Sequence, residues 1–341
     1  MWQEVELILR SPMKYDIITI GDATEDVFVC PQLEVTRSRT AVSGKSICFE
    51  FGEKIPLDSV QYEVGGSACN AAVGLSRLGG KVAIVCALGE DTPKQRVLEV
   101  LSEENIDQKL LTIDKNLKTS FGVIFSMDGE RTIFVYHGVK DYSKLKIAKS
   151  LDAKWIFVTP LGENTDEIEK RVIEAVSEKG ARFAWNPGSL QIGKGINHYK
   201  HLLKCTSVLF LNREEALKFL NFTSRPEIKD AMRKIAMYGP KIVVVTNGKE
   251  GVTAYDGKEF YEIKANLHTK RVDSTGAGDS FATGFLGRII AENSKIVDDG
   301  LIRNALEWGM ANSNSVIQYV GAQKGLLTKS EIDESAKKLF D

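Results

Sequence analysis

The stretch VDSTGAGDSFATGFL (272–286) sets Ser274, Thr275, Gly276, Ala277 and Gly278 directly ahead of one carboxylate, Asp279. Gly276 and Gly278 have no Cβ, so backbone can approach a ligand closely there. Phe281, Phe285 and Ile289 follow at spacing four, which predicts a helix with one buried face beginning at the glycines. First-turn amides have no acceptor inside their helix and lie at the positive end of its dipole, which makes an anion site. Asp279 then stands where an anion is most welcome and a second negative group least so. A carboxylate beside an incoming phosphoryl group would take the proton of an attacking hydroxyl. The other reading is a glycine-rich helix cap in which Asp279 merely favours the dipole.

Such a loop needs a frame, and the chain supplies one. YDIITIG (15–21), KVAIVCALG (81–89), KWIFVTP (154–160), RFAWNP (182–187), SVLFLN (207–212) and KIVVVTNG (241–248) are short, apolar and show little polar alternation. Runs of that kind suit strands covered on both faces. Between them lie candidate helices at 68–78, 93–104, 165–179, 213–220 and 226–237, with another at 301–319. The alternation predicts an α/β fold with a largely parallel sheet and helices on both sides. TSFGVIFSMDGERTIFVYHG (119–138) reads as a hairpin turning at Asp128-Gly129, and 28–62 is also β-rich; together they predict a small second sheet. A further hairpin turns at Asp256-Gly257. No repeat or linker divides the chain, so 13–340 is expected to be one domain.

Composition narrows the partners. Lys and Arg number 45 against 46 Asp and Glu, which leaves no basic field to attract nucleic acid. No apolar run reaches the roughly 18 residues of a membrane span. Cys30, Cys48, Cys69, Cys86 and Cys205 stand singly, as expected in a reducing compartment. With two glutamates in the first six residues the start does not resemble a basic leader, so a cytoplasmic protein is expected. His137, His198, His201 and His268 lack metal-like spacing. SGKS (43–46) looks like a P-loop ending, but Arg39 stands where its first glycine is needed, and Phe281 occupies the last position of a dinucleotide glycine motif.

DSTGAGDSFATGF resembles the C-terminal signature of the ribokinase-like, PfkB-type carbohydrate kinases, and GGSACNAAVGLSRLG (65–79) resembles their N-terminal one. GDATED, NREEA and VVVTNGKEGV fall in the family's order, so the resemblance covers nearly the whole chain. It implies a three-layer ribokinase-like fold with a β-sheet lid built from about 28–62 and 119–138. It also implies that Asp279 is the general base and that the Gly276, Ala277 and Gly278 amides hold the transferred phosphoryl group. Asp26, Gly65, Gly66 and Asn70 would bind the acceptor; carboxylate and amide side chains can each bridge two hydroxyls. Asn212, Thr246 and Gly248 would line the ATP site, and Glu215 would hold Mg²⁺ through water. Asp273 stands where family members often bind a monovalent cation such as K⁺. Each also has a plain structural use: Asp26 and Asn212 as caps, Glu215 as a helix-start charge, Gly65-Gly66 and Thr246-Asn247-Gly248 as turns, Asn70 as a surface residue.

One departure concerns the acceptor. Many sugar-phosphorylating relatives carry Asp-x-Asn-x-Arg after a central strand; here the residues are Ala184, Trp185, Asn186, Pro187 and Gly188. Without the arginine, an acceptor that already bears phosphate is disfavoured. The ending YVGAQKGLL (319–327) is similar to that of adenosine-kinase-like members. The expected activity is therefore ATP-dependent phosphorylation of a free sugar, with a nucleoside as rival acceptor and a silent sugar- or nucleotide-binding regulator as the non-enzymatic alternative. A lid would exclude water from the transfer, and its exposed edges invite pairing with a second copy. Tyr136 and Phe121 would stack on a base or pair across the hairpin.

Overall fold

A computed structural model describes residues 13–32, 36–38, 45–127, 130–145, 147–148, 150–222, 226–293 and 297–340. Ser43 and Gly44 of the P-loop-like stretch, and the Asp128-Gly129 turn, lie outside them. Among the described residues the main sheet has eight strands. Those in parallel are β6 (Val82–Val85), β1 (Tyr15–Ile20), β11 (Ala153–Val158), β12 (Arg182–Trp185), β13 (Thr206–Asn212) and β14 (Ile242–Thr246), in that spatial order. The antiparallel hairpin β15 (Val252–Tyr255) and β16 (Phe260–Ile263) closes the far edge.

Apolar residues alternate between two cores, which is why these runs lack polar alternation. Val208, Phe210, Ile242 and Val244 join one core with α1 (Ser67–Arg77), α2 (Thr92–Glu103), α8 (Ala277–Glu292) and α9 (Asp299–Val316). Leu209, Leu211, Val243 and Val245 join the other with α3 (Asp166–Lys179), α4 (Ser189–Lys194), α5 (Lys200–Leu203), α6 (Arg213–Phe219) and α7 (Ile228–Ala236). Trp185 lies wholly in that second core, edge-on to Tyr199 at 5.2 Å. None of these helices is long and apolar enough to cross a membrane.

The second sheet has four strands among the described residues: β10 (Glu130–Tyr136), β9 (Ser120–Met127), β2 (Thr24–Pro31) and β5 (Leu57–Gly65), in that order. It runs from Thr24 to Gly65 rather than from 28 to 62, because Thr24 pairs with Gly65 and Asp26 with Glu63. Asp26 thus lies on the sheet, not ahead of it. Phe121 and Tyr136 are direct cross-strand partners. A two-stranded sheet of β3 (Thr36–Arg37) and β4 (Lys45–Ser46) lies between β2 and β5 in the chain.

Two further expectations are corrected, and one helix is added. The run 81–89 is two strands: β6 is the edge of the main sheet, and beyond it β7 (Ala87–Gly89) turns away to pair with β8 (Thr112–Asp114). The helix expected at 301–319 starts at Asp299, where Asp298 caps the Leu301 amide at 2.8 Å, and ends at Val316. Finally, α10 (Lys329–Phe340) follows a Thr328-x-x-Glu331 capping pattern, with the Thr328 amide donating to Glu331 at 2.8 Å, a start signal present in the sequence.

Candidate active site

The candidate residues gather at the carboxyl ends of the parallel strands, where open α/β sheets bind ligands. Asn212 ends β13 and Thr246 ends β14. Gly276 precedes α8 in the left-handed region, with φ of 73°. A Cβ there would lie 2.4 Å from the Ala322 Cβ, so only glycine fits the turn. Within the first turn, the Ser280 amide donates to the Gly276 carbonyl at 2.8 Å and the Ala277 amide to Ser274 at 3.3 Å. The Gly278 and Asp279 amides have no acceptor inside the helix. Of the three amides expected to hold a phosphoryl group, Ala277's is thus already engaged, weakly, in the loop.

Asp279 is half-buried and hydrogen-bonded from α1: Asn70 Nδ2 donates to its Oδ2 at 3.0 Å, and the Ser67 side chain also donates. Burial nonetheless pushes its carboxyl above the ordinary aspartate value, the two donors opposing the shift. Asn70 is buried, not the surface residue of the plain alternative. From the neighbouring helix, Ser313 Oγ donates to the Ala277 carbonyl at 3.0 Å and Asn312 Nδ2 to the Ser280 carbonyl at 2.8 Å.

Asp26 reaches the site from the second sheet. Its Oδ1 accepts from Thr24 Oγ1 at 3.1 Å, and burial, then the charges of Asp273 and Glu25, raise its carboxyl. A Cβ on Gly65 would come within 2.2 Å of Asp26 Oδ2, and one on Gly122 of the opposite neighbour strand within 2.7 Å of Oδ1. The two glycines make room for this carboxylate; Gly122, missed in the sequence reading, had the signal of a lone glycine inside a strand. Gly66 is the residue before α1.

Asn212 and Glu215 form a reciprocal capping box at α6, each side chain accepting the other's amide at 2.8 Å. The plain capping use is therefore realised, and Glu215 faces the site as well: burial first, and the Asp279 charge, push its carboxyl up. Asp273 is buried and anchors loops. Its Oδ1 accepts the Thr275 amide at 2.9 Å and hydroxyl at 2.8 Å, and its Oδ2 accepts the Gly321 amide at 3.1 Å. Thr246, Gly248, Ala277 and Gly278 line a cavity of about 520 Å³ with Arg271, Met310 and Asn314, a volume suited to a nucleotide. Sequence reasoning also missed Arg271, and it gave no role to Ser67 and Gln323 within the stretches 65–79 and 319–327.

These features define a chain with a glycine-led helix start, an adjoining acid and a cavity of about 520 Å³ on a three-layer α/β frame. The chain belongs to the pfkB family carbohydrate kinases, whose profile matches residues 40–329. It is similar to a fructokinase of Solanum tuberosum, 26% identical over 279 residues that cover 78% of this chain and 84% of that one. It is also similar to the cytidine kinase of Thermococcus kodakarensis, 28% identical over 250 residues, covering 72% and 84%. Among solved structures, the Arabidopsis thaliana ribokinase complexed with ribose and ATP superposes with a TM-score of 0.75 at 20% identity, covering 95% of this chain and 99% of that one. The fold is ribokinase-like, and the chain is a phosphotransferase of the sugar and nucleoside kinase class.

Proposed function

We propose that this chain transfers the γ-phosphoryl group of ATP to a hydroxyl of a free sugar, with Asp279 as the general base. The observation that carries the reading is the placement of Asp279: first turn of α8, next to Gly278, which lines the cavity, and bonded to Asn70. ATP phosphates would lie against the α8 amides, with Thr246, Gly248 and Asn212 flanking the nucleotide. Asp26, Gly65, Gly66 and Asn70 would hold the acceptor. Asp279 draws the proton as the hydroxyl attacks, and its raised affinity for protons suits that step.

Glu215 fits a magnesium ion held through water: it is an oxygen donor in the field of Asp279, and two such acids favour a divalent cation. Bound there, Mg²⁺ would neutralise charge on the transferring phosphoryl group. Asp273, whose carboxylate already accepts three hydrogen bonds, fits a loop anchor better than a ligand of K⁺.

The end of β12 supports an unphosphorylated acceptor. Ala184 and Trp185 are buried in the cores, and Asn186 Nδ2 donates to the Phe210 carbonyl at 3.1 Å, so no cation stands there for a phosphate. A nucleoside is the second reading, favoured by the likeness to a cytidine kinase. The four-stranded sheet would close over the acceptor as a lid. On its other face Val60, Tyr62, Phe134 and Tyr136 are each about half exposed, which supports pairing with a second copy.

The test is a panel of fructose, ribose, cytidine and adenosine with Mg·ATP, read by ³¹P NMR. A phosphorylated product from at least one is expected. ATP binding with no product from any would instead support a silent binding protein.

A further inference from the structure

Resting on the reading of Asp279 as base, we infer that Gln323 is a positioning residue for this reaction, holding the Asn70 amide in the one orientation that donates to Asp279. The polarity of the contact runs outward from the carboxylate. An ionised carboxylate only accepts hydrogen bonds, so the Asn70 atom facing it must be Nδ2. That turns Asn70 Oδ1 the other way, into buried surroundings where it needs a donor. Gln323 supplies it: its Nε2 lies 3.0 Å from Asn70 Oδ1, and 3.6 Å from the Cys69 sulfur. With Asn70 turned over, its oxygen would oppose the Asp279 carboxylate and its NH₂ would oppose the Gln323 NH₂, two repulsive contacts in place of two attractive ones.

Gln323 is itself fixed from behind. Its carbonyl accepts from Arg77 Nη1 at 2.8 Å, and Arg77 Nε is held by Glu104 at 3.0 Å. Two residues before it the Gly321 amide donates to Asp273, and four residues after it the Leu327 amide donates to Asn312 at 2.9 Å. The loop is therefore tied to α1, α9 and the strand-to-helix loop that carries Gly276. So constrained a backbone keeps the side chain against Asn70, and the Gln323 amide reinforces the orientation that the Asp279 carboxylate selects. Among the described residues, Ser67 and Asn70 from α1 donate to Asp279 and Glu215 from α6 lies in its field, so Asn70 helps to orient its carboxylate.

Two variants of the full-length chain test this. Gln323→Met keeps the volume and removes the donor; Gln323→Glu keeps the shape and presents an acceptor to Asn70 Oδ1. In ¹⁵N-asparagine-labelled protein, which needs no acceptor, the Asn70 side-chain amide pair should shift and exchange faster with water in both. With whichever of the four panel acceptors the unaltered chain phosphorylates, kcat should fall about tenfold to a hundredfold in both variants while the ATP KM stays within about twofold. Adding Gln323→Met to Asp279→Asn should lower the residual rate no further. Unchanged Asn70 resonances, or a kcat that falls only in step with the melting temperature, would overturn the inference. A fully active Asp279→Asn chain would defeat the reading of the base while leaving the Asn70 resonances to report on the contact itself.

Discussion

Asp279 and Asp26 are two carboxylates that we place on the same acceptor, and the molecule holds them by different means. Asp279 stands at the start of a helix whose following turns are buried, and α1, α9 and the loop of Gly321 to Leu327 bond to it or to its neighbours. Asp26 stands on a four-stranded sheet whose outer strand, β10, exposes Ile133, Phe134, Val135 and Tyr136. That sheet is tied to the helical body by fewer contacts, among them the Arg96 pair with Glu25 at 2.9 Å and the Arg96 guanidinium over the Tyr62 ring at 4.8 Å. Groups that do chemistry gain from rigid support. Groups that admit and release a substrate are drawn from parts of lower local stability. The contrast teaches that Asp279 and Asn70 are held by the helical body, whereas Asp26 is held by the smaller sheet.

The comparison is open to attack at four places. Asp279→Asn should lower kcat about a hundredfold to ten-thousandfold, measured at saturating Mg·ATP and acceptor. Because burial raises the Asp279 carboxyl, the active ionised form is lost as pH falls through a value above that of an ordinary aspartate, so kcat/KM should drop on the acid side earlier than for an exposed base. The same shift fixes the stability sign. A buried carboxylate that resists ionisation burdens the fold above its ordinary titration range, so Asp279→Asn should melt higher than the unaltered chain at neutral pH, and the gap should close as pH falls. Next in size, Gly276→Ala must fit a Cβ against Ala322 at a positive φ, and should lose about 1 kcal/mol or more of stability by chemical denaturation, with much of its activity. Asp26→Asn should raise the acceptor KM about tenfold while the ATP KM holds. Smallest, Arg96→Ala, which frees the sheet at one partly exposed pair, should cost about 1 kcal/mol or less and raise the acceptor KM by about twofold, with kcat unchanged.

Much of this was legible in the residues. The parallel frame was, because strands buried on both faces leave unbroken apolar runs such as Ile242 to Thr246. The helix start at Gly276 was, because glycines ahead of a spacing-four apolar face have few other uses. The edge behaviour of 81–89 was not: nothing in VAIVCAL records that the strand leaves the main sheet after Val85 and that Ala87 pairs with Thr112 instead. Asn70 and Gln323 lie 253 positions apart, and a contact between two uncharged amides leaves no local pattern. Asn212 and Glu215 show the converse, a pattern whose capping use is realised and whose proposed site use needs the same residues, so the sequence alone could not divide them.

The central claim is most directly tested by single-turnover transfer from γ-labelled ATP to the acceptor that the unaltered chain prefers, run side by side on Asp279→Asn and Asp26→Asn. The account predicts that Asp279→Asn binds ATP but transfers at about a hundredth of the normal rate or less at any acceptor concentration, while Asp26→Asn recovers most of its rate as acceptor is raised. Transfer by Asp279→Asn at close to the normal rate would contradict it.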